Sequence, residues 1–444
     1  MKQVLILGGG LGGYYTAKGL ESSLADGEAQ ITLVDMHSYL VYQPFLAEVA
    51  GGAIEPRHIQ VPLQRNLPNT RIVRAKVTGV RHADRQVDVC DVESKEKWAL
   101  PYDELVVALG GVTRTFPTPG VAENAIGLKS SQEALHIRDT VVKNLQRAAG
   151  LPKGSRWRDK LLSFVVVGGG LSGVECFAEV LCLARDLVFK TPGLSLEELN
   201  FRLVEVMDKI MPEVPREKSQ WVIDLLERKG GHVMLETSIE SAKDNILKLS
   251  DGSTIDCGLL VWTAGQIAAP VLKSTDLPLD ERGRLNCDAC LHVVDAGGTP
   301  LAGVWGVGDC AKVADLSGGG LPDDSCAPTA QHAVRQARVL ARNIVRTLRG
   351  EASEEYYHEN AGMVAGLGRF NGLFANGDKS IVICGLPAWL AHRGYHGLVL
   401  PSWERKLRVF GDWTGELVLG RDTTSVDEAD DPRALFVEHA VACA

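Results

Sequence analysis

What the chain lacks narrows it first. None of its apolar stretches reaches the ~18 residues that a bilayer-crossing helix requires, so no segment is expected to span a membrane as a helix. Positive charge is not in excess: 47 Lys and Arg stand against 56 Asp and Glu, a formal net charge of −9, and no arginine-rich run offsets it. Nucleic acid is therefore not an expected partner, whereas a membrane surface is not excluded, because a local basic patch acts even on an acidic chain. Ten cysteines follow no regular framework and are expected as reduced thiols of a cytosolic protein. The first apolar run begins by Val4 and leaves no room for a targeting segment. A hydrophobic content of 45% and a charged content of 23% are ordinary for globular proteins, and 444 residues allow two or three domains.

What is present is one glycine signature, twice. Gly8-x-Gly10-x-x-Gly13, with Gly12 inside it, follows Val4-Leu5-Ile6-Leu7; Gly168-x-Gly170-x-x-Gly173 follows Phe164-Val165-Val166-Val167. Each leads into a helix-compatible stretch, and each has an acid closing a later apolar run, Asp35 after Ile31-Thr32-Leu33-Val34 and Glu205 after Phe201-Arg202-Leu203-Val204. In such loops the first glycine turns the chain off the strand, the second lets the backbone approach a pyrophosphate, and the third lets helix and strand pack closely. The helix N-terminus offers unpaired N–H groups and a positive dipole end, and the acid accepts from ribose hydroxyls. One loop alone is a weak signal, since glycine turns also join strands to helices for steric reasons. Two in the same context imply two nucleotide sites and point to a flavin enzyme reduced by a nicotinamide nucleotide. Glu205 would repel a 2′-phosphate, and Val206-Met207-Asp208 supplies no arginine, so NADH is expected over NADPH.

The pattern between the loops sets the organisation. After a strand–strand pattern over residues 71–91, Leu105-Val106-Val107-Ala108-Leu109-Gly110 reads as a buried parallel strand entering a glycine turn beside the flavin. Phe116-Pro117-Thr118-Pro119-Gly120 marks a boundary. The second unit continues to a strand ending in Thr263-Ala264-Gly265. Val304-Trp305-Gly306-Val307-Gly308-Asp309 then reads as a strand running into a Gly-Asp turn, and a helix is expected over 329–348, with Pro328 suited to its first turn and Gly350 ending it. The expected fold is α/β, with two Rossmann-like dinucleotide-binding domains. The FAD domain is discontinuous (1–120 and 286–350), the NADH domain is inserted (121–285), and 351–444 is a C-terminal membrane-docking or dimerisation module. Asp427, Glu428, Asp430 and Asp431 are expected in a solvated tail.

These residues resemble the two-dinucleotide-binding flavoproteins, and within them the type II NADH dehydrogenases (NADH:quinone oxidoreductases). Three stretches carry the closer resemblance. Tyr42-Gln43-Pro44-Phe45-Leu46-Ala47-Glu48-Val49-Ala50-Gly51-Gly52 is similar to a family segment that lies along the flavin, which implies a flavin role for Gln43. Ala327-Pro328-Thr329-Ala330-Gln331-His332-Ala333-Val334-Arg335-Gln336-Ala337 is similar to the family segment whose helix N-terminus faces the flavin pyrimidine and whose glutamines border the quinone pocket. The tryptophan-bearing region from Pro387 to Asp422 resembles the membrane-docking region. Arg335 stands where the family has a Gln, Ala337 where it has Gly, and Gln266 where Val is more usual.

The resemblance implies FAD and NADH as cofactors and a quinone or quinone-like molecule as acceptor, with Glu175 and Gln331 catalytic. Asp309 would hydrogen-bond the ribityl chain, Ala108, Gly110 and Ala330 would border the flavin, and Ala264 and Gly265 the NADH. Gln331, Arg335 and Gln336 would line the acceptor pocket. The row Trp403, Leu407, Phe410, Trp413 or Thr414, and Leu417 has helical spacing, so Trp389, Trp403, Leu407 and Trp413 are expected at the inner face of the cell membrane, with a homodimer contact as the competing use of that module. Cys287-x-x-Cys290 lacks a second close pair, and no metal is expected. Three alternatives stay open: a soluble NADH-dependent reductase with another acceptor, a sulfide:quinone oxidoreductase using Cys176, and an NADH redox sensor.

Overall fold

The computed structural model describes residues 1–425, so the acidic positions from Asp427 to Asp431 lie outside the described residues. The strand Lys2–Leu7 runs parallel to Ala29–Asp35 on one side and to Glu104–Val107 on the other, with Leu7 opposite both Val34 and Val107. Helix α1 (Leu11–Ser23) makes the crossover between the first two strands. Thr70–Arg81 extends the sheet in parallel and then turns back into Gln86–Asp91 and Lys97–Pro101. Lys97–Pro101 was not anticipated. Of its side chains only Leu100 is buried, so the segment is held by pairing with Gln86–Asp91 rather than by an apolar pattern of its own. The short helix α2 (Leu46–Ala50) is buried along its whole length, Glu48 included.

Helix α3 (Ser131–Ala149) also escaped the sequence reading. A capping box starts it: Ser130 Oγ accepts from Glu133 N at 3.1 Å, and Glu133 Oε2 accepts from Ser130 N at 2.8 Å. The second nucleotide unit is a fully parallel sheet in the order Gly231–Met234, Asn200–Val204, Ser163–Val167, Leu259–Trp262, with helix α4 (Leu171–Lys190) following the central strand.

The chain then rejoins the first sheet. Pro300–Gly306 pairs in parallel with Glu104–Val107, and Leu285–Cys287, His292–Val294 and Ala311–Val313 complete ten strands. Helix α5 (Ala330–Leu348) follows. Its N-cap is Thr329, whose hydroxyl accepts from His332 N, so Pro328 precedes the cap instead of lying in the first turn. Gly19 lets α1 and α5 approach closely, since a Cβ there would stand 2.6 Å from Ala341 Cβ. The two chain crossings between the sheets pair with each other, Gly111–Thr113 antiparallel to Gln266–Ala268.

The C-terminal module is a three-stranded antiparallel sheet (Gly362–Gly366, Gly372–Asn376, Val382–Cys384) followed by α6 (Leu386–Val399) and α7 (Trp403–Leu419). Trp403 and Leu407 are 69% and 62% exposed, but Trp389 and Trp413 are 5% and 4% exposed. The expectation that all four face outward is corrected for those two. Trp389 lies under the Arg393 guanidinium, 4.0 Å from ring centre to cation, and Trp413 packs edge-on against Phe45. Thr414 takes the outward place on the stripe, because Trp413 is one residue off its line. No helix among the described residues is long and apolar enough to cross a membrane.

Candidate active site at two joined nucleotide cradles

The two glycine loops have the same construction. Gly8 and Gly168 turn off their strands at φ +100° and +111°. A Cβ on Gly13 would stand 1.8 Å from Gly8 O, and one on Gly173 would stand 1.9 Å from Gly168 O, so each third glycine is required for helix to meet strand. Around Gly10 and Gly170 the space is open: a Cβ at either would meet nothing within 4 Å. Both serve as N-caps with no side-chain capping bond, which leaves first-turn N–H groups of α1 and α4 to a ligand.

The acids close the loops identically. Asp35 Oδ2 accepts from Gly9 N at 2.6 Å and Oδ1 from His37 N at 2.7 Å; Glu205 Oε2 accepts from Gly169 N at 2.5 Å and Oε1 from Met207 N at 2.8 Å. Burial holds the Asp35 carboxyl above the usual range. An arginine does reach the turn after Glu205, but Arg216 is paired with Asp208.

Three loops meet at the carboxyl ends of the central strands of the first sheet, where open α/β sheets bind ligands. These are Gly8–Gly13, the turn at Ala108 and Gly110, and the turn at Gly308 and Asp309. Gly8 lies against Ala108, a Cβ on it falling 2.4 Å from Ala108 O, and Val307 packs against Gly12. Ala330 is exposed at the start of α5, and Ala333, three residues on, lies against Gly308. In the second sheet Thr263 Oγ1 donates to Val167 O at 2.8 Å, which seats Thr263, Ala264 and Gly265 next to the Gly168 turn.

The crossing ribbon brings the two mouths together. Ala269 N donates to Gly110 O at 3.1 Å, and Arg114 N to Gly265 O at 3.2 Å. Gln266 spans the junction, its Nε2 donating to Asp309 Oδ2 at 2.5 Å and its Oε1 accepting from Lys129 Nζ at 2.6 Å. Burial draws the Lys129 ammonium below its ordinary value, against the pull of Asp309 and Glu133. Gln43 joins the same rim by donating to Lys129 O at 3.3 Å.

Glu175, at the start of the second turn of α4, keeps only 12% of its side chain exposed and accepts from Gly366 N at 2.9 Å. Burial, with Glu48 and Glu179 nearby, pushes its carboxyl up to about 8. Behind it runs a seam of buried charge. Trp413 Nε1 donates to Glu48 Oε2 at 2.6 Å, Arg393 Nη2 to Glu416 Oε2 at 2.7 Å, and Arg421 Nη2 to Glu179 Oε2 at 2.5 Å. Burial also pushes the Glu48 carboxyl up, more than Arg393 pulls it down.

On the acceptor side the expected trio separates. Gln331 Nε2 donates to Gly362 O at 3.2 Å while its Oε1 accepts from Ala361 N at 3.0 Å and meets His358 Nε2 at 2.6 Å, so the amide pins the C-terminal module to α5. Arg335 stays half-buried, one turn along. Gln336 is buried: it is 2% exposed, and its Oε1 accepts from Gly308 N at 3.0 Å. Five residues after Gln331, it falls on another face of α5 and supports the Gly308 turn from beneath.

The cysteines divide as well. Cys176 beside Glu175 is wholly buried and its thiol is pushed up to about 12, so it is inert as a nucleophile. Cys287 is buried, while Cys290 lies with Asp288 and His292, their ligand atoms within 4.8 Å of one another. His292 Nδ1 is already 3.0 Å from Asp288 Oδ2.

Sequence reasoning missed Lys129, His358 and the whole seam of Glu48, Glu179, His392, Arg393, Glu416 and Arg421. For the seam acids a signal existed: Glu48 and Glu179 are single charges inside apolar runs, Leu46-Ala47-Glu48-Val49-Ala50 and Phe177-Ala178-Glu179-Val180-Leu181. Lone charges in such runs are buried and paired far more often than they are wasted.

Known proteins share this arrangement. A probable NADH dehydrogenase of Dictyostelium discoideum is 28% identical over 430 residues, covering 96% of this chain and 91% of that one. The type II NADH:quinone oxidoreductase of Haemophilus influenzae is 29% identical over 394 residues, covering 84% and 86%. NDH2 from Plasmodium falciparum, solved in complex with NADH, has the same fold with a TM-score of 0.86 at 18% identity, covering 96% of this chain and all of that one. The family model described as pyridine nucleotide-disulphide oxidoreductase matches residues 2–337, which takes in both cradles and the ribbon between them, and to that family the chain belongs.

Proposed function

We propose that the protein is a FAD-dependent oxidoreductase that takes hydride from NADH and passes two electrons to a quinone, without pumping protons. The observation that carries this is the ribbon of Gly111–Thr113 and Gln266–Ala268, which joins the mouths of two equivalent cradles at Gly110 and Gly265. In this proposal residues 1–120 and 286–350 hold FAD, 121–285 hold NADH, and 351–444 are the C-terminal membrane-docking or dimerisation module. FAD, when bound, supplies a ring that accepts hydride and gives up electrons to a second substrate. The chain supplies position and charge. Gly8, Gly10, Gly12, Gly13 and Asp35 hold one dinucleotide, with Asp309, Ala108, Gly110, Gln43 and Ala330 along it. Gly168, Gly170, Gly173, Glu205, Ala264 and Gly265 hold the other. The N-terminus of α5, at Ala330, would offer its positive end to negative charge on a bound flavin.

The names of the relatives support a quinone as the acceptor. The inert Cys176 removes the motive for sulfide chemistry. A second version keeps the NADH half and changes the acceptor. It is favoured by Arg335, whose cation faces His358 and His332, both held below their ordinary values chiefly by burial.

The purified protein should be yellow and should bleach on anaerobic NADH addition, and a soluble quinone should restore the colour over many turnovers. Colour that NADH does not bleach refutes the donor. Bleaching without quinone turnover leaves a sensor, and turnover only with anionic quinoids favours the Arg335 version.

A further inference from the structure

The reaction proposed above leaves one proton unaccounted for. Hydride carries two electrons and one proton, whereas a quinone reduced to its hydroquinone takes up two of each. The second proton must come through the protein, and the buried neighbourhood of Glu175 is built for it.

His392 on α6 is 2% exposed and stands between two carboxyl groups on two other elements. Its Nε2 is 3.6 Å from Glu175 Oε1 on α4, and its Nδ1 is 3.5 Å from Glu48 Oε1 on α2. Among the described residues Nδ1 has no hydrogen-bond partner. Each carboxyl has already used another bond to fix its place: Glu48 Oε2 accepts from Trp413 Nε1, and Glu175 Oε1 accepts from Gly366 N. The ring is held from the side by Phe45 and His396, and Gly366 allows its approach, since a Cβ there would press to 3.3 Å from His392 Cε1. The separations are slightly longer than hydrogen bonds, as catalytic contacts often are before substrate is bound.

We propose that His392 is a positioning residue that passes a proton between Glu48 and Glu175, so that Glu175 regains the proton it surrenders to the acceptor side. This rests on the NADH:acceptor function proposed above. The transfer balances within three groups. Glu48, protonated, gives its proton to Nδ1; Nε2–H gives its proton to the Glu175 carboxylate. The ring ends as the other neutral tautomer, one carboxyl has been emptied and the other filled, and no electron moves. Two like-charged carboxyls alone would resist each other's ionisation, and a neutral ring between them, which donates at one nitrogen and accepts at the other, lets one proton serve both.

The charged and titratable groups around the ring suit this use. On its own helix are Arg393 and His396. On α4 are Glu175 and Glu179, on α2 is Glu48, and on α7 is Glu416, paired to Arg393. His396 Nδ1 is bound to Tyr42 OH at 2.9 Å. Burial, with Arg393 and His396 adding to it, keeps His392 neutral, and burial keeps Glu175 and Glu48 protonated further up the pH scale than free carboxyls. A neutral imidazole between two such acids is the state in which transfer needs no buried ion pair.

The test pairs a spectroscopic measurement with a kinetic one. In the folded wild-type protein with ¹⁵N-labelled histidine, the His392 Nε2 signal should move on Glu175→Gln and the Nδ1 signal on Glu48→Gln. Signals indifferent to both variants overturn the proposal, whether or not the protein has any activity. The second arm uses His392→Gln, which keeps one donor and one acceptor but cannot exchange protons at two ring nitrogens. Its kcat with a soluble quinone should fall on the order of ten- to a hundredfold with KM little changed, and its solvent deuterium effect should rise. Full turnover with an unchanged isotope effect means that the ring only fills space. If His392→Gln does not fold, the nitrogen signals of the wild type against Glu175→Gln and Glu48→Gln still decide. If NADH fails to bleach the wild type, the enzyme reading falls, and those signals report the link independently.

Discussion

The glycine cradles and the buried seam are both polar machinery, yet they are made in opposite ways. A cradle is backbone, assembled within six residues by glycine sterics and a helix start, so the same chemistry appears twice in one chain with nearly superimposable distances. The seam is side chains recruited across the whole sequence. Glu48 meets Trp413 across a separation of 365 residues, and Arg421 meets Glu179 across 242. A cradle therefore depends on its glycines and its acid, while the seam depends on each buried charge facing an opposite one. Burying one partner of such a set without the other is among the costliest things a fold can do.

That difference is broken most forcefully at Arg421. Its side chain is wholly buried; Nη1 donates to Gly51 O and Glu179 O at 2.7 Å each, and Nε lies 3.4 Å from Glu416 Oε1. Burial works against the guanidinium's charge, and the facing carboxylates of Glu179 and Glu416 more than offset it. Arg421→Ala leaves Glu179 and two backbone carbonyls without these bonds, and urea unfolding should show about 3–5 kcal/mol lost. A loss below about 1 kcal/mol would mean the seam is hydrated and the contrast with the cradles is false.

The same contrast explains what could be read without the structure. Both loops, Asp35, Glu205, the Ala108–Gly110 turn and the Gly308–Asp309 turn lie within a few residues of their strands, and strand-ending turns leave a local pattern. Helix α5 was legible because its apolar face repeats, though Thr329 rather than Pro328 sets its start. Glu48 shows only as a lone charge in an apolar run, and His392 and Arg421 leave no trace at all, since the partners of all three are chosen by how α2, α4, α6 and α7 pack. Gln336 is separated from Gln331 for a related reason. The resemblance implies a pocket shared by the two, whereas the helix sends the two amides to different neighbours. Trp389 and Trp413 were assigned outward because tryptophan at helical spacing looks alike on either face; only the buried acid that Trp413 serves separates them.

The C-terminal helices sharpen the comparison, since their inner face belongs to the seam and their outer face is exposed among the described residues. Leu390, Leu398, Trp403 and Leu407 are 56%, 69%, 69% and 62% exposed, with Arg405, Lys406 and Arg408 along the same helix. Burying a large apolar side chain is worth about 1.5–3 kcal/mol. Trp403→Glu/Leu407→Glu should therefore weaken binding to anionic vesicles at least ~tenfold, measured by co-sedimentation, with no change in the urea midpoint. Trp413→Phe should do the reverse, lowering stability through Glu48 while vesicle binding holds. Equal vesicle binding by the double variant and the wild type would reassign the outer face to contact between two copies, which sedimentation velocity would then detect.

The smallest effect is the one that isolates a cradle from the fold around it. Gly170 has φ −70° and ψ 174°, which valine adopts freely, and no atom lies within 4 Å of its Cβ position. Gly170→Val should therefore leave stability within about 0.5 kcal/mol of the wild type and leave bound FAD unchanged. Its isopropyl group would occupy the space through which a pyrophosphate approaches the α4 N-terminus, and NADH affinity should fall by at least ~tenfold, roughly 1.4 kcal/mol, by equilibrium titration. Gly173→Ala is the counterpart: its Cβ would collide with Gly168 O, so it should lose stability and affinity together. Should Gly170→Val bind NADH as the wild type does, the second loop is only a strand-to-helix turn. The resemblance of the two loops would then be steric, and the donor would have to bind elsewhere.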